Sequence, residues 1–126
     1  ISGTGSAGIL ATDESEVINS GRIEGSTGTD LVGISVDKTS TVENSGTITM
    51  NTDSNTGIAS KGGEVTNEGE ITLKGIKSTG ISSENGNVTN SATTGKIIKY
   101  PVSHSLFSLI EVFFIVPPNF IETGRT

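Results

Sequence analysis

One seven-residue pattern, V-x-N-x-G-x-I, recurs along this chain at an almost fixed period. It reads Val17-Ile18-Asn19-Ser20-Gly21-Arg22-Ile23, then Val42-Glu43-Asn44-Ser45-Gly46-Thr47-Ile48, then Val65-Thr66-Asn67-Glu68-Gly69-Glu70-Ile71, with a looser fourth copy at Val88-Thr89-Asn90-Ser91. Successive Asn residues lie 25, 23 and 23 positions apart. A second motif is interleaved with the first: Ala7-Gly8-Ile9, Val32-Gly33-Ile34, Thr56-Gly57-Ile58 and Thr79-Gly80-Ile81, with Gly spacings of 25, 24 and 23. Self-similarity at such a period marks a stacked architecture in which each repeat buries its apolar face only against its neighbours.

Inside each unit the inward candidates alternate, as in Val42, Asn44, Gly46, Ile48 and Met50. That is the period of a strand with one buried face. The motif therefore reads as one strand running from Val to Met or Leu. A polar turn follows it (Asn51 to Asn55, Lys74 to Ser78), then a short strand at Gly-Ile, then a corner such as Gly62-Gly63 or Asn85-Gly86. No window has helical periodicity. Ser, Thr and Asn supply 44 of the 126 residues against four Ala, five Leu and one Met, a composition that favours strands and turns. The expected fold is all-β, a parallel β-helix of about four coils with a repeat of 23 to 25 residues. Stacking places like above like, so Ile9, Ile34, Ile58 and Ile81 form one inner ladder and Ile23, Ile48 and Ile71 another.

The repeated Asn19, Asn44, Asn67 and Asn90 are read as a structural ladder, because stacked amides hydrogen-bond to one another along a solenoid. Gly21, Gly46 and Gly69 are read as allowing a tight backbone conformation that a Cβ would disfavour. In the fourth unit Ala92-Thr93-Thr94 intervene before Gly95-Lys96-Ile97, which predicts a bulge or short loop. The repeat region spans residues 1–99. From residue 100 to 126 the composition changes: all three Pro, all four Phe, Tyr100 and His104 fall here, while sixteen of the seventeen Gly precede Ile97. This tail is either a cap on the last coil or sequence from outside the repeat frame.

Chemistry-bearing patterns are sparse. Gly3-Thr4-Gly5-Ser6-Ala7-Gly8 matches G-x-G-x-x-G without the strand before and helix after that give the dinucleotide motif its mechanism. Asp13, Glu14 and Glu16 read as a solvated corner, and Asp53-Ser54-Asn55-Thr56-Gly57 as a turn, since a Ca²⁺ loop needs a later bidentate acid. His104 has no second His for a metal site. Without Cys there is no disulfide, thiolate metal site or thiol nucleophile. A net charge of -6 with eight Lys plus Arg argues against nucleic acid. Asn87-Val88-Thr89 is a glycosylation sequon, meaningful only in a eukaryotic secretory pathway. Leu106 to Val116 is too short and too interrupted to span a bilayer as a helix. The chain opens at Ile1, so a secretion signal is expected outside it. No catalytic residue, metal or cofactor is expected.

The units Val42 to Met50 and Val65 to Leu73, each followed by Thr-Gly-Ile, resemble the N-x-G-x-I repeats in passenger regions of Gram-negative autotransporters, type V secretion. The resemblance covers residues 1 to about 99. It implies a right-handed parallel β-helix projecting from the outer membrane and joined in the parent protein to a β-barrel translocator. It also implies an adhesin-like role, with a ligand on host cells or other bacteria. The runner-up is a carbohydrate-active β-helix enzyme whose groove lies outside this chain, and a third reading is a passive spacer. A solenoid this short is expected to self-associate end to end through its open edges.

Overall fold

A computed structural model describes residues 1–100, which contain twelve β-strands and no helix. They wind as a β-solenoid whose coils each contribute one strand to three parallel sheets. The first sheet stacks β1 (Ala7–Ala11), β4 (Val32–Asp37), β7 (Thr56–Lys61) and β10 (Thr79–Ser83). The second stacks β2 (Glu16–Asn19), β5 (Thr41–Asn44), β8 (Val65–Asn67) and β11 (Val88–Asn90). The third stacks β3 (Arg22–Gly25), β6 (Thr47–Met50), β9 (Glu70–Leu73) and β12 (Lys96–Lys99). The architecture is the all-β solenoid of about four coils that the repeat predicts.

The register matches the repeat residue for residue. Ile9, Ile34, Ile58 and Ile81 are successive partners in the first sheet. Val17, Val42, Val65 and Val88 are partners in the second, as are Asn19, Asn44, Asn67 and Asn90. Ile23, Ile48, Ile71 and Ile97 run down the third. A one-residue slip would turn these side chains to solvent, so the buried columns fix the register. Ile34, Ile48, Ile58 and Ile71 are fully buried and join Leu31, Val36, Val42, Met50, Val65 and Leu73 in one continuous core. Because β-branched residues supply most of it, the core suits the pleated walls that enclose it.

One element differs from the sequence reading. V-x-N-x-G-x-I is two strands and a corner, not a single strand. The chain turns after each Asn, and the inward alternation survives the turn: Val42 and Asn44 are buried before it, Ile48 and Met50 after it. The turn is fixed from the preceding coil. Ser45 and Gly46 N–H both donate to Asn19 O, each at 2.9 Å, and Glu68 and Gly69 N–H both donate to Asn44 O at 2.8 Å. Two successive donors converging on one carbonyl cannot belong to an extended strand, whose N–H groups alternate in direction. The period of two is therefore genuine, but it records burial on two walls meeting at an angle.

The three residues added in the fourth unit are looped out at this same corner. Gly95 N–H donates to Ser91 O at 3.0 Å and Thr94 N–H to Ser91 Oγ at 3.3 Å, after which Lys96 resumes the column opposite Glu70. Of the tail, 100–126, only Tyr100 is among the described residues; 101–126, with His104, lie outside them.

Candidate functional site

The repeated Asn residues form a continuous chain of amides through the interior. Asn19 Nδ2 donates to Asn44 Oδ1, Asn44 Nδ2 to Asn67 Oδ1, and Asn67 Nδ2 to Asn90 Oδ1, each at 2.7 Å. All four are buried, Asn44 and Asn67 completely. Oxygen and nitrogen are both used in every coil, so the row leaves no unpaired amide facing solvent for a ligand. The ends differ: Asn19 Oδ1 accepts Gly21 N–H at 3.3 Å, and Asn90 Nδ2 donates to Gly95 O at 3.1 Å.

The Gly at the corner is required by what lies beneath it. Among the described glycines, positive φ is confined to Gly3, Gly5, Gly28 and Gly62, so Gly21, Gly46 and Gly69 do not relieve a left-handed backbone of their own. An added Cβ at Gly46 would instead fall 2.1 Å from Gly21 O, and at Gly69 2.1 Å from Gly46 O. Coil-to-coil contact at this corner is backbone on backbone, and only hydrogen fits.

Two further polar columns were not legible from the motif. Asn55 and Ser78 are buried, with Leu31 N–H donating to Asn55 Oδ1 at 2.9 Å and Asn55 N–H to Ser78 Oγ at 3.2 Å. Ser40 is fully buried and accepts Ser15 N–H at 3.1 Å. The aligned positions hold Leu31, Asn55 and Ser78 in one column and Ser15, Ser40 and Gly63 in the other. Their only signal was spacing, because the residue type changes from coil to coil.

The candidate motifs separate cleanly. Gly3 to Ser6 form a loop laid on the next coil, through Gly3 N–H to Thr27 O and Gly5 N–H to Thr29 O, both 3.0 Å, and Gly8 already belongs to β1, with no helix after it. Asp13 and Glu14 sit at an exposed corner with positive φ, where Asp13 Oδ1 takes an exposed ion pair from Lys38 Nζ at 3.2 Å. Asp53 Oδ1 caps its neighbouring turn by accepting Ile76 N–H at 2.9 Å. Asn87 is exposed just before β11. Among the described residues no three acidic or His side chains gather as metal ligands.

The most organised outward group is centred on Glu24. Its Oε1 accepts Asn51 Nδ2 at 2.8 Å and its Oε2 accepts Arg22 Nη2 at 2.7 Å. The Asn51 amide first, then the Arg22 charge, with a smaller contribution from Lys74, hold this carboxyl below the usual carboxylate range. An acid so held stays ionised near neutrality and cannot serve as a proton donor there. Its partner Arg22 is already neutralised. The group ties β3 to the loop after β6, one coil later, and offers no second carboxyl at hydrogen-bonding distance for paired acid–base work.

Residues 1–95 match the family model of the BigA third pectate lyase-like domain. The chain belongs to this family. The match ends at Gly95, within the last looped corner, and so takes in every strand of the described residues except β12. No curated protein and no solved structure matches the chain.

Proposed function

We propose that the chain is a stretch of stalk from a bacterial surface adhesin of the autotransporter type: a non-enzymatic β-helix whose lateral faces present binding residues to host cells or other bacteria. The family supports the coarser part of this reading, a surface or secreted bacterial β-helix protein. The observation that carries the rest is a division of labour in the coil. Residues that repeat (Asn44, Gly46, Ile48, Ile58 and their column mates) all serve stacking, while the outward positions beside them change in character, as one column does from Ile18 to Glu43 to Thr66 and Thr89. A rigid rod with a variable side is suited to display.

The test is binding of the purified 126-residue chain to cultured host cells, to bacterial cells and to a glycan array, paired with protease shaving of whole bacteria that produce the parent protein. Saturable binding together with loss of the antigen on shaving is the expected result. Retention of the antigen after shaving would remove the surface assignment. The second reading rests on the family's pectate lyase-like description: cleavage of polygalacturonate into unsaturated oligomers by the chain would replace the adhesin with a polysaccharide lyase.

A further inference from the structure

We propose that Asn85 is a self-modifying site: the Gly86 nitrogen closes on the Asn85 side-chain amide with loss of ammonia, and water reopens the ring, leaving aspartate or isoaspartate at the corner before β11. The reactants are the chain itself and water.

Asn85-Gly86 is the one Asn-Gly pair in the sequence. Ring closure brings the nitrogen of the following residue onto the side-chain carbonyl carbon, and a Cβ on that residue obstructs the approach. Gly has none. Asn85 is exposed, with a φ of 60°. Asp13 and Lys38, which take the same corner in the first and second coils, are exposed as well, so stacking one coil on another leaves this place open to water.

The third coil shows how the corner is latched. Ser60 Oγ accepts Gly63 N–H at 3.2 Å and lies 3.4 Å from Gly63 O, a closure made inside one coil. Ser83 and Gly86 take the same two places one coil later: Ser83 pairs with Ser60, and Gly86 lies against Gly63 O. There the latch is open. Ser83 Oγ is buried without a partner, and Gly86 N–H makes no hydrogen bond among the described residues. The attacking nitrogen is therefore uncommitted, and the Asn85–Gly86 peptide lacks the bond that would stop it turning toward the side chain.

The amide column is the contrast. Asn44 and Asn90 are each followed by a Ser, but their side chains are buried and bonded along the column. Their would-be nucleophiles are also engaged, Ser45 N–H with Asn19 O at 2.9 Å and Ser91 N–H with Asn67 O at 2.8 Å.

The chemistry balances with water alone. Gly86 N gives its proton to solvent base and bonds to Asn85 Cγ; the Cγ–Nδ2 bond breaks and Nδ2 leaves as ammonia, forming a cyclic imide. Water cleaving the imide at Cγ restores the main chain with aspartate. Water cleaving it at the main-chain carbonyl of residue 85 leaves the chain running through Cγ, as isoaspartate. Either product adds a negative charge beside Glu84. Isoaspartate also lengthens the main chain by one methylene, and the corner has no slack for it: an added Cβ at Gly86 would fall 2.0 Å from Gly63 O, backbone on backbone. The isoaspartyl chain therefore holds its fourth coil less firmly.

The full chain, aged in mildly alkaline buffer at body temperature and digested with trypsin, tests this. Cleavage after Lys77 and Lys96 frees Ser78 to Lys96, which carries Asn85, Asn87 and Asn90 together. The expected result is a gain of one mass unit that fragmentation places at Asn85, largely as isoaspartate, with ammonia released in equal amount. Conversion there should run about tenfold or more faster than at Asn87, Asn90 or Asn44, a barrier difference of ~1.4 kcal/mol. Asn85→Gln, whose ring would be larger and slower to close, should abolish the early mass gain and ammonia while leaving the melting temperature of fresh protein unchanged. Aged wild-type chain should then melt below aged Asn85→Gln. An Asn85 that stays intact in the folded chain but converts in urea would show that the corner holds the peptide still, and overturns the proposal. Conversion at similar rates across the Asn residues overturns it equally, and an isoaspartyl chain that melts with Asn85→Gln overturns the loosened coil.

Discussion

The two corners that flank the second sheet solve the same problem by different means. At the corner after the Asn, four coils use the same side chain, an inward amide bonded to each adjoining coil, and a Gly that from the second coil onward lies against a carbonyl of the coil before it. At the corner before it, four coils each place a residue of positive φ, and four different residues fill the place. Asp13, Lys38, Gly62 and Asn85 all have positive φ, at 57, 46, 120 and 60°. The first corner is held by side chains packed inside, and the second by a backbone shape whose side chains face water. Repetition in a sequence therefore tracks what points inward, while a conformation equally regular in space leaves almost no trace in the letters.

The comparison breaks most sharply at Gly46. Gly46→Ala drives a methyl into Gly21 O and to 2.7 Å from Ser20 C, backbone atoms that cannot swing aside. Destabilisation of ~3 kcal/mol or more is expected, enough to unfold a short solenoid at room temperature. Urea titration followed by circular dichroism would measure it. Gly21→Ala in dilute protein should cost less than ~0.5 kcal/mol, although the motif is the same. Equal losses at the two positions would mean that the corner needs Gly for its own dihedrals after all.

Asn44→Ala comes next. It leaves Asn19 without an acceptor and Asn67 Oδ1 without its donor, both buried. With ~1–3 kcal/mol for each orphaned buried group, a loss of ~2–4 kcal/mol is expected. Asn90→Ala, at the end of the chain of amides, takes one acceptor from Asn67 Nδ2, which keeps Gly69 O, and the donor from the half-buried Gly95 O. Its loss should be nearer ~1 kcal/mol. A ratio near one would mean that the amides act independently and not as a column.

The left-handed corner should respond in the opposite direction. At Lys38 a side chain occupies a conformation that costs a non-Gly residue ~1 kcal/mol, and its ion pair with Asp13 is exposed on both sides. Lys38→Gly removes that penalty but adds freedom to the unfolded chain, so a net gain of at most ~0.5 kcal/mol is expected. Thermal melts of the two proteins side by side would resolve its sign. Destabilisation of ~1 kcal/mol or more would show that the Lys38 side chain contributes something its surroundings do not reveal.

These contrasts also explain what was readable beforehand. Strand content, coil number, register and the Asn and Ile columns followed from the letters, because each depends on a side chain that must match its neighbour. The corner inside V-x-N-x-G-x-I was not readable, since burial alternates straight through it: Asn44 and Ile48 are both inside, on different walls. The column of Leu31, Asn55 and Ser78 escaped for another reason. One carbonyl-bearing side chain and one hydroxyl accept successive backbone donors, so hydrogen-bonding function repeats while residue identity does not. Glu24 was invisible as a centre because its partners come from its own strand and from a loop a full coil later.

Glu24 gives the smallest expected effect and the finest test of whether outward residues work across coils. Its carboxyl is held below the usual range chiefly by the Asn51 amide and then by Arg22. A group whose folded pKa is depressed contributes stability that is present above its unfolded value and lost as the pH falls through the folded one. The carboxyl is open to water, so the change in stability between neutral pH and the acid range should be slight. The titration itself should be clear: in carbonyl-detected NMR the Glu24 midpoint lies below that of an unpaired glutamate. Asn51→Ala should raise it more than Arg22→Gln does, because a hydrogen bond aimed at Oε1 is less screened than an exposed charge two residues away. The reverse order would make Glu24 a local partner of Arg22 within β3, and the outer surface would then have no side-chain tie between coils at this position.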